Sequence, residues 1–165
     1  AFVLFTSHTQ MTNVAAKVES FCEKRGWTLL VQGRKLPRHQ LLSEFKRDTH
    51  SVLFGTDSFW TGVDVPGDAL SNVIITKLPF AVPDHPLTAA RLEHIEDEGG
   101  NAFTEYSVPE AILKLRQGVG RLIRSKKDKG ICAILDNRVL SKPYGRSFLN
   151  ALPQCPVEVI TTRPE

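Results

Sequence analysis

The stretch Gln117-Gly-Val-Gly-Arg-Leu-Ile-Arg-Ser125 has the residue spacing of a helix with two different faces. Because an α-helix turns by about 100° per residue, Gln117, Arg121 and Arg124 are expected to share one face. The pattern predicts a helix that docks on a sheet by its apolar side and presents two guanidinium groups on the other. The apolar side consists of Ile112, Leu115, Val119, Leu122 and Ile123.

Two guanidinium groups at fixed positions suit phosphate chemistry. Arginine binds phosphate oxygens in bidentate geometry and stabilises the charge that develops during phosphoryl transfer. Gly118 and Gly120 each weaken a helix by about 1 kcal/mol relative to alanine. Their presence indicates close approach by another backbone or a ligand. Taken alone, such a stripe also fits a solvated helix face, so a second motif is needed to decide.

The bulk composition is that of one ordinary globular domain. The 165 residues are 41% hydrophobic and 24% charged, and a net charge of +3 neither requires nor excludes nucleic acid. Cys22, Cys132 and Cys155 are too widely spaced for a metal site or a disulfide framework. We therefore predict no metal site, reduced cysteines and a reducing cytoplasm. No apolar run reaches transmembrane length.

Apolar runs alternate with segments of helical period along the chain. Ser7 and Ser107 begin two of these segments with capping-box spacing. The alternation predicts an α/β fold with a mostly parallel central sheet and helices on both faces. Strands are expected at 2–5, 27–31, 51–55, 72–78, 130–135 and 157–160, with helices after Ser7, Pro37 and Ser107 and over 87–98 and 144–149.

A second motif, Phe54-Gly-Thr-Asp-Ser-Phe-Trp-Thr-Gly-Val-Asp-Val-Pro-Gly67, directly follows a predicted strand. In such sheets, ligands bind beyond the carboxyl ends of the strands. The hydroxyls of Thr56 and Ser58 and backbone N–H groups in such a turn can bind a phosphate backbone. Asp64, beside Gly62, can accept a hydrogen bond from a ribose hydroxyl. Considered alone, Gly-x-Asp more often marks an Asx turn.

These motifs occur in the order strand-Thr-Ser-His, strand-Gln-Gly, the 54–67 loop and the helix with Gly-Val-Gly-Arg. In this order, and in its ending, the chain resembles the second RecA-like motor domain of superfamily-two helicases, most closely the DinG/XPD branch. The resemblance covers nearly the whole chain. It implies that residues 1–165 form a RecA-like three-layer sandwich, the C-terminal motor domain of an ATP-dependent DNA helicase. Since the chain starts without Met inside an apolar run, we expect a fragment of a longer helicase.

The resemblance also assigns roles to residues. Arg124 matches the arginine finger, and Arg121 is expected near the phosphates as a second catalytic residue. Thr61 departs from the acidic residue that many relatives carry before Gly-x-Asp, which puts any role of that side chain in doubt. The ATP-binding positions are Gln117, Gly62 and Asp64, and the nucleic-acid-binding positions are Ser7, Gln32, Thr56 and Ser58.

The expected cofactors are ATP and Mg²⁺, held mainly by a first motor domain that this chain lacks. Gly62 and Gly67 have Walker-A spacing, but Asp68-Ala69 stands where Lys-Ser/Thr is required, so the chain has no P-loop. No iron–sulfur cluster is expected in this fragment. The isolated chain is expected neither to hydrolyse ATP nor to unwind DNA.

The expected partners are single-stranded DNA and the N-terminal RecA-like domain of the same polypeptide. No association with a membrane is expected. The branch implies 5′-to-3′ movement, DNA repair and a bacterial cytoplasm. Three alternatives stay open: an RNA helicase or translocase domain, a non-enzymatic nucleic-acid-binding module, and an unrelated phosphate-binding α/β enzyme. The last would need a base near the arginines, but the histidines are scattered without triad spacing.

Overall fold

The computed structural model describes residues 1–60, 70–82, 86–123 and 128–161. The strands are β1 (Phe2–Leu4), β2 (Thr28–Val31), β3 (Ser51–Gly55), β4 (Asn72–Ile75) and β5 (Ile131–Ile134). The helices are α1 (His8–Lys24), α2 (Arg38–Arg47), α3 (Asp57–Trp60), α4 (Pro86–Asp97), α5 (Val108–Val119), α6 (Arg138–Ser141) and α7 (Gly145–Asn150). A π-helical turn, Phe103–Ser107, leads directly into α5.

All five strands are parallel and lie in the order β2-β3-β1-β4-β5. Leu4 is in register with Gly55 of β3 on one side and with Ile75 of β4 on the other. The carboxyl ends of these three strands therefore lie level with one another. The loops that follow them meet at one edge of the sheet, as the sequence predicted.

The central strand β1 is buried on both faces, which explains its unbroken apolar run. Alternate side chains of a strand point to opposite faces of the sheet. Phe2 and Leu4 belong to a core with residues of α2, α5 and α7. Val3 and Phe5 belong to a second core with residues of α1. Helices cover both faces, so the predicted α/β sandwich is confirmed.

The helix that carries Gln117 is shorter than predicted. α5 ends at Val119, and the N–H of Gly120 donates to the Arg116 carbonyl at 2.7 Å. A turn follows, in which the Leu122 N–H bonds to the Val119 carbonyl at 2.9 Å. The two glycines lower helix propensity at this end. The prediction that Arg121 shares a helix face with Gln117 is wrong: Gln117 is exposed, whereas Arg121 is 8% exposed.

Two other local predictions are also wrong. Ser107 has helical backbone angles and makes no side-chain cap, because the π-helical turn runs into α5 without a break. The segment 157–160 forms no strand, and its apolar side chains are largely exposed. An alternating apolar pattern becomes a strand only when another strand supplies its hydrogen bonds. By contrast, Ser7 caps α1, accepting a bond from the Gln10 N–H at 3.4 Å.

The cysteines of the described residues are unpaired. Cys22 is buried, and Cys132 of β5 is partly buried. Burial, and to a smaller extent the nearby Cys155, raises the pKa of the Cys132 thiol to about 11. The described residues contain no group of three His, Cys, Asp or Glu that could hold a metal ion. A search of the same residues for a helix able to cross a membrane also found none.

Trp60 packs α3 between the sheet and α5. Its side chain is fully buried, and its indole N–H donates to the Phe5 carbonyl at 3.1 Å. A Cβ added at Gly118 would lie 2.9 Å from the indole Cε3 and 3.1 Å from a methyl carbon of Leu4. The close approach predicted from the glycines is therefore made at Gly118 by an indole ring, and not by a backbone or ligand.

We predict that Gly118→Ala lowers the free energy of unfolding by about 1–3 kcal/mol, the usual cost of overpacking a core. The loss should occur although alanine favours a helix by about 1 kcal/mol over glycine. Urea unfolding followed by circular dichroism measures the change. Arg116→Ala, at an exposed position of the same helix, is the control and should change the free energy by less than about 0.5 kcal/mol. Unchanged stability of Gly118→Ala would contradict the packing argument.

Candidate nucleotide and nucleic-acid site

Four polar side chains form a hydrogen-bonded cluster beyond the carboxyl ends of β1, β2 and β3. Gln32 Oε1 accepts from the Thr56 backbone N–H at 2.7 Å and lies 3.1 Å from the Thr56 hydroxyl. Gln32 Nε2 donates to Ser58 Oγ at 3.0 Å. His8 Nε2 lies 3.0 Å from Thr56 Oγ1. The structure thus brings together three of the four residues predicted to bind nucleic acid, and adds His8.

The members of this polar cluster differ in exposure. Thr56 is 4% exposed and Gln32 is partly buried, whereas Ser58 and His8 are exposed. Ser7 is also exposed at this edge, directly before His8, but its side chain caps α1. Thr56 and Gln32 therefore fix the shape of the cluster from within. Ser7, His8 and Ser58 form its accessible surface.

Arg38, which the sequence reasoning did not assign, contacts the same region. Its guanidinium donates to the Ser58 carbonyl at 3.0 Å and lies 5.4 Å from the Phe59 ring centroid. Arg38 begins α2, just beyond the Gln32 loop. The sequence signal was its position near a predicted ligand loop. The side chains of Gln32 and Arg38 thus hold α3 at this edge.

Arg121 also contacts α3. Its guanidinium donates to the carbonyl of Phe59 and lies 5.7 Å from the Phe2 ring centroid. A hydrogen bond from a charged donor is stronger than a neutral one, with a net contribution of about 1.5–3 kcal/mol. Arg121 therefore fixes the last turn of α3, immediately before the segment that carries Gly62 and Asp64.

The remaining predicted nucleotide residues are placed only in part. Gln117 is exposed on the last turn of α5. Gly62, Asp64 and Arg124 lie outside the described residues. Among the predicted nucleotide residues that the structure describes, Arg121 therefore contacts α3, and Gln117 lies at the surface of α5.

Asp136 holds a second group of side chains, beyond β4 and β5. Its carboxylate is 8% exposed and accepts from the Leu78 N–H at 2.8 Å and from the Arg138 guanidinium at 2.6 Å. Burial alone would raise the pKa of Asp136, but the bonds from Arg138 and Leu78 outweigh it and lower the pKa to about 2. The same pairing raises the pKa of Arg138. The sequence pattern predicts no functional role for this Leu-Asp-Asn-Arg stretch.

Aromatic rings pack beside this pair. The Arg138 guanidinium lies 5.3 Å from the Phe80 ring centroid. Phe80 stacks on Phe103, with centroids 5.6 Å apart and ring planes inclined by 19°. Tyr144 meets Phe80 and Phe103 edge-on, at 5.6 and 5.3 Å. Phe80 is partly buried and packs mainly against protein.

We predict that Asp136 makes stability depend on pH in the acid range. The pKa in the folded state, about 2, is below the ordinary value of 3.8. The stabilisation is therefore complete above about pH 4 and lost as the pH falls toward 2. The pKa difference corresponds to about 2 kcal/mol. Asp136→Asn should have a lower free energy of unfolding at neutral pH, measured by urea unfolding. Its free energy of unfolding should also fall less than that of the wild-type protein between about pH 4 and pH 2.

Asp97→Asn, at an exposed position of α4, is the matched control and should keep the wild-type pH dependence. An Asp136→Asn variant with the same acid loss as wild type would show that the carboxylate is not stabilised by the fold.

The parallel sheet, the helices on both faces and the polar cluster beyond the strand ends define a RecA-like α/β domain. Residues 1–155 match the family model described as helicase C-terminal domain. The chain therefore belongs to the helicase C-terminal domain family, and its relatives agree with the DinG/XPD type that the motifs indicated.

Three similar proteins illustrate the relationship. The ATP-dependent DNA helicase YoaA of Haemophilus influenzae is 50% identical over 92% of this chain and 23% of its own length. The ATP-dependent DNA helicase DinG of Photobacterium profundum is 47% identical over 93% of this chain and 22% of its own. The 3′-5′ exonuclease DinG of Bacillus subtilis is 46% identical over 96% of this chain and 17% of its own length. The chain thus spans less than a quarter of these relatives.

The fold also matches that of the solved structure named XPD_APO. The TM-score is 0.65 with 20% sequence identity, over 90% of this chain and 30% of the other. At this identity the match supports the fold alone.

Proposed function

We propose that this chain is the C-terminal motor domain of a DinG-like, ATP-dependent DNA helicase that moves 5′ to 3′ and acts in DNA repair in the bacterial cytoplasm. The observation that carries the proposal is the position of α3. It contacts the polar cluster through Ser58 and Arg121 through the Phe59 carbonyl, so one short helix connects a candidate nucleic-acid surface with a predicted catalytic arginine.

Relatives support the activity. Two of those compared above carry the name ATP-dependent DNA helicase, and this chain corresponds to 22–23% of their length. The sequence has no P-loop, so ATP and Mg²⁺ would be held mainly by an N-terminal RecA-like domain of the same polypeptide. No iron–sulfur cluster is proposed for the residues of this chain.

The phosphoryl-transfer role falls to the arginines. ATP and Mg²⁺ supply the phosphoryl group and its charge neutralisation, and this chain supplies the guanidinium groups that stabilise the developing charge. Arg124 is the arginine finger in this proposal. Arg121 supports it, since its bond to the Phe59 carbonyl fixes the end of α3, shortly before Gly62 and Asp64 in the sequence. Gln117 is exposed on α5 and is accessible to a nucleotide.

The nucleic-acid role falls to the polar cluster. Exposed hydroxyl and imidazole groups of Ser7, His8 and Ser58 suit hydrogen bonding to a phosphodiester backbone. Gln32 and Thr56 hydrogen-bond to each other, and they also bond to Ser58 and His8, respectively. This network holds the exposed groups in place. Such a preorganised surface binds a single strand without base readout.

Arg124→Ala in the full-length protein should reduce ATP turnover by about a thousandfold or more, the effect of removing an arginine finger. Steady-state ATP hydrolysis with and without single-stranded DNA measures the change. Arg116→Ala, at an exposed arginine of α5, is the control and should retain turnover. A non-enzymatic binding module would have no ATPase to lose, and an Arg124→Ala variant with wild-type turnover would remove the finger assignment.

Strand separation tests the proposed activity directly. The full-length protein should unwind a DNA duplex that carries a 5′ single-stranded tail, and the isolated chain should neither unwind it nor hydrolyse ATP. Preference for an RNA duplex would contradict the proposed DNA substrate, and preference for a 3′ tail would contradict the proposed 5′-to-3′ polarity. Gel analysis of an end-labelled strand also detects shortening, which would indicate an exonuclease as in the name of the Bacillus subtilis relative.

A further inference from the structure

We propose that Phe103 is a base-stacking residue, and that the Phe80–Phe103 pair forms a platform for a nucleobase of the bound single strand. The inference rests on the proposed function and deepens it: it adds a base contact to a surface otherwise assigned only to the phosphate backbone.

The first argument is exposure. Phe103 is 43% exposed, although full burial of a phenylalanine is worth about 1.5–3 kcal/mol. One neighbouring ring, Phe80, lies nearly parallel to it, and Tyr144 meets it edge-on. A further flat ring placed on Phe103 would extend the existing Phe80–Phe103 stack.

The second argument is rigidity. Phe80 is held by several partners: the Arg138 guanidinium over its ring, Tyr144 edge-on, and the fully buried Phe148 with its centroid at 5.7 Å. Arg138 is itself fixed by the buried carboxylate of Asp136. Phe103 therefore rests on a ring that is fixed before any ligand arrives. An aromatic ring with little freedom to lose is a favourable stacking surface.

The third argument is location. The polar cluster follows β3, and Phe80 follows β4. Both strands end level with Leu4 of β1, which lies between them. Strands are about 4.8 Å apart in a sheet, so these two ends are about 10 Å apart. The segments that carry Ser58 and Phe80 therefore leave the same edge of the sheet, and we expect a single strand bound at Ser58 and His8 to reach the aromatic pair.

Another exposed aromatic residue offers a matched control. Phe21 is 48% exposed, close to the value for Phe103. It lies near the end of α1, where its ring is covered by the Arg25 guanidinium at 4.3 Å and contacts Trp27 just before β2. This position is at the amino edge of the sheet, away from the polar cluster.

The experiment measures binding of the full-length protein to an end-labelled oligothymidylate and to an abasic oligomer of equal length. Phe103→Ala should weaken oligothymidylate binding about five- to a hundredfold, the range for loss of one stacked base. Phe103→Leu, which keeps an apolar side chain against Phe80, should weaken it similarly, and Phe103→Trp should retain it. All variants should bind the abasic oligomer as wild type does, and Phe21→Ala should bind both probes normally.

If Phe103→Ala or Phe103→Leu bound oligothymidylate as tightly as the wild-type protein does, the inference would be overturned. The proposed function would remain. Equal weakening on both probes would also overturn the inference, because a base contact cannot act where no base is present. That result would assign Phe103 to packing within the full-length protein. Failure of the wild-type protein to bind either probe would instead remove the nucleic-acid role on which the inference rests.

Discussion

The arrangement of both proposed functional surfaces depends on the burial of Trp60. Its indole bonds to the end of β1 and packs against Gly118, so one side chain fixes the position of α3 relative to the sheet and to α5. The polar cluster includes the start of α3, and Arg121 binds the Phe59 carbonyl near its end. A movement of α3 would therefore displace both surfaces together. The tight contact at Gly118 explains why a helix with a strong apolar face carries a glycine there.

The architecture could be predicted from the sequence because it depends on repeated apolar patterns. The buried run at Phe2–Leu4 and the alternation of strands with helices were enough to predict a parallel sheet covered on both faces. The level strand ends also followed, which brought Gln32, Thr56 and Ser58 together. The predictions that were wrong concern local features that depend on contacts with other parts of the chain. The segment 157–160 has a strand pattern but no adjacent strand to pair with it among the described residues.

The site was predictable in its residue types but less so in its geometry. A periodic helix placed Arg121 beside Gln117, but α5 ends at Val119, and Arg121 turns into the protein. Periodicity describes a helix only for as long as the helix continues, and two nearby glycines made its end uncertain. The bond of Arg38 to the Ser58 carbonyl and that of Asp136 to the Leu78 N–H could not be predicted either, because both partners are distant backbone groups that single-sequence patterns do not reveal.

The two tryptophans of the chain occupy contrasting surroundings: Trp60 is fully buried beside α5, and Trp27 is 37% exposed near the opposite edge of the sheet. Replacing Trp27 by phenylalanine would leave Trp60 as the one tryptophan in this chain, located at the junction between the two proposed functional surfaces. Its emission wavelength and its quenching by acrylamide would then report, without an attached dye, whether α3 moves when a nucleotide or single-stranded DNA is added.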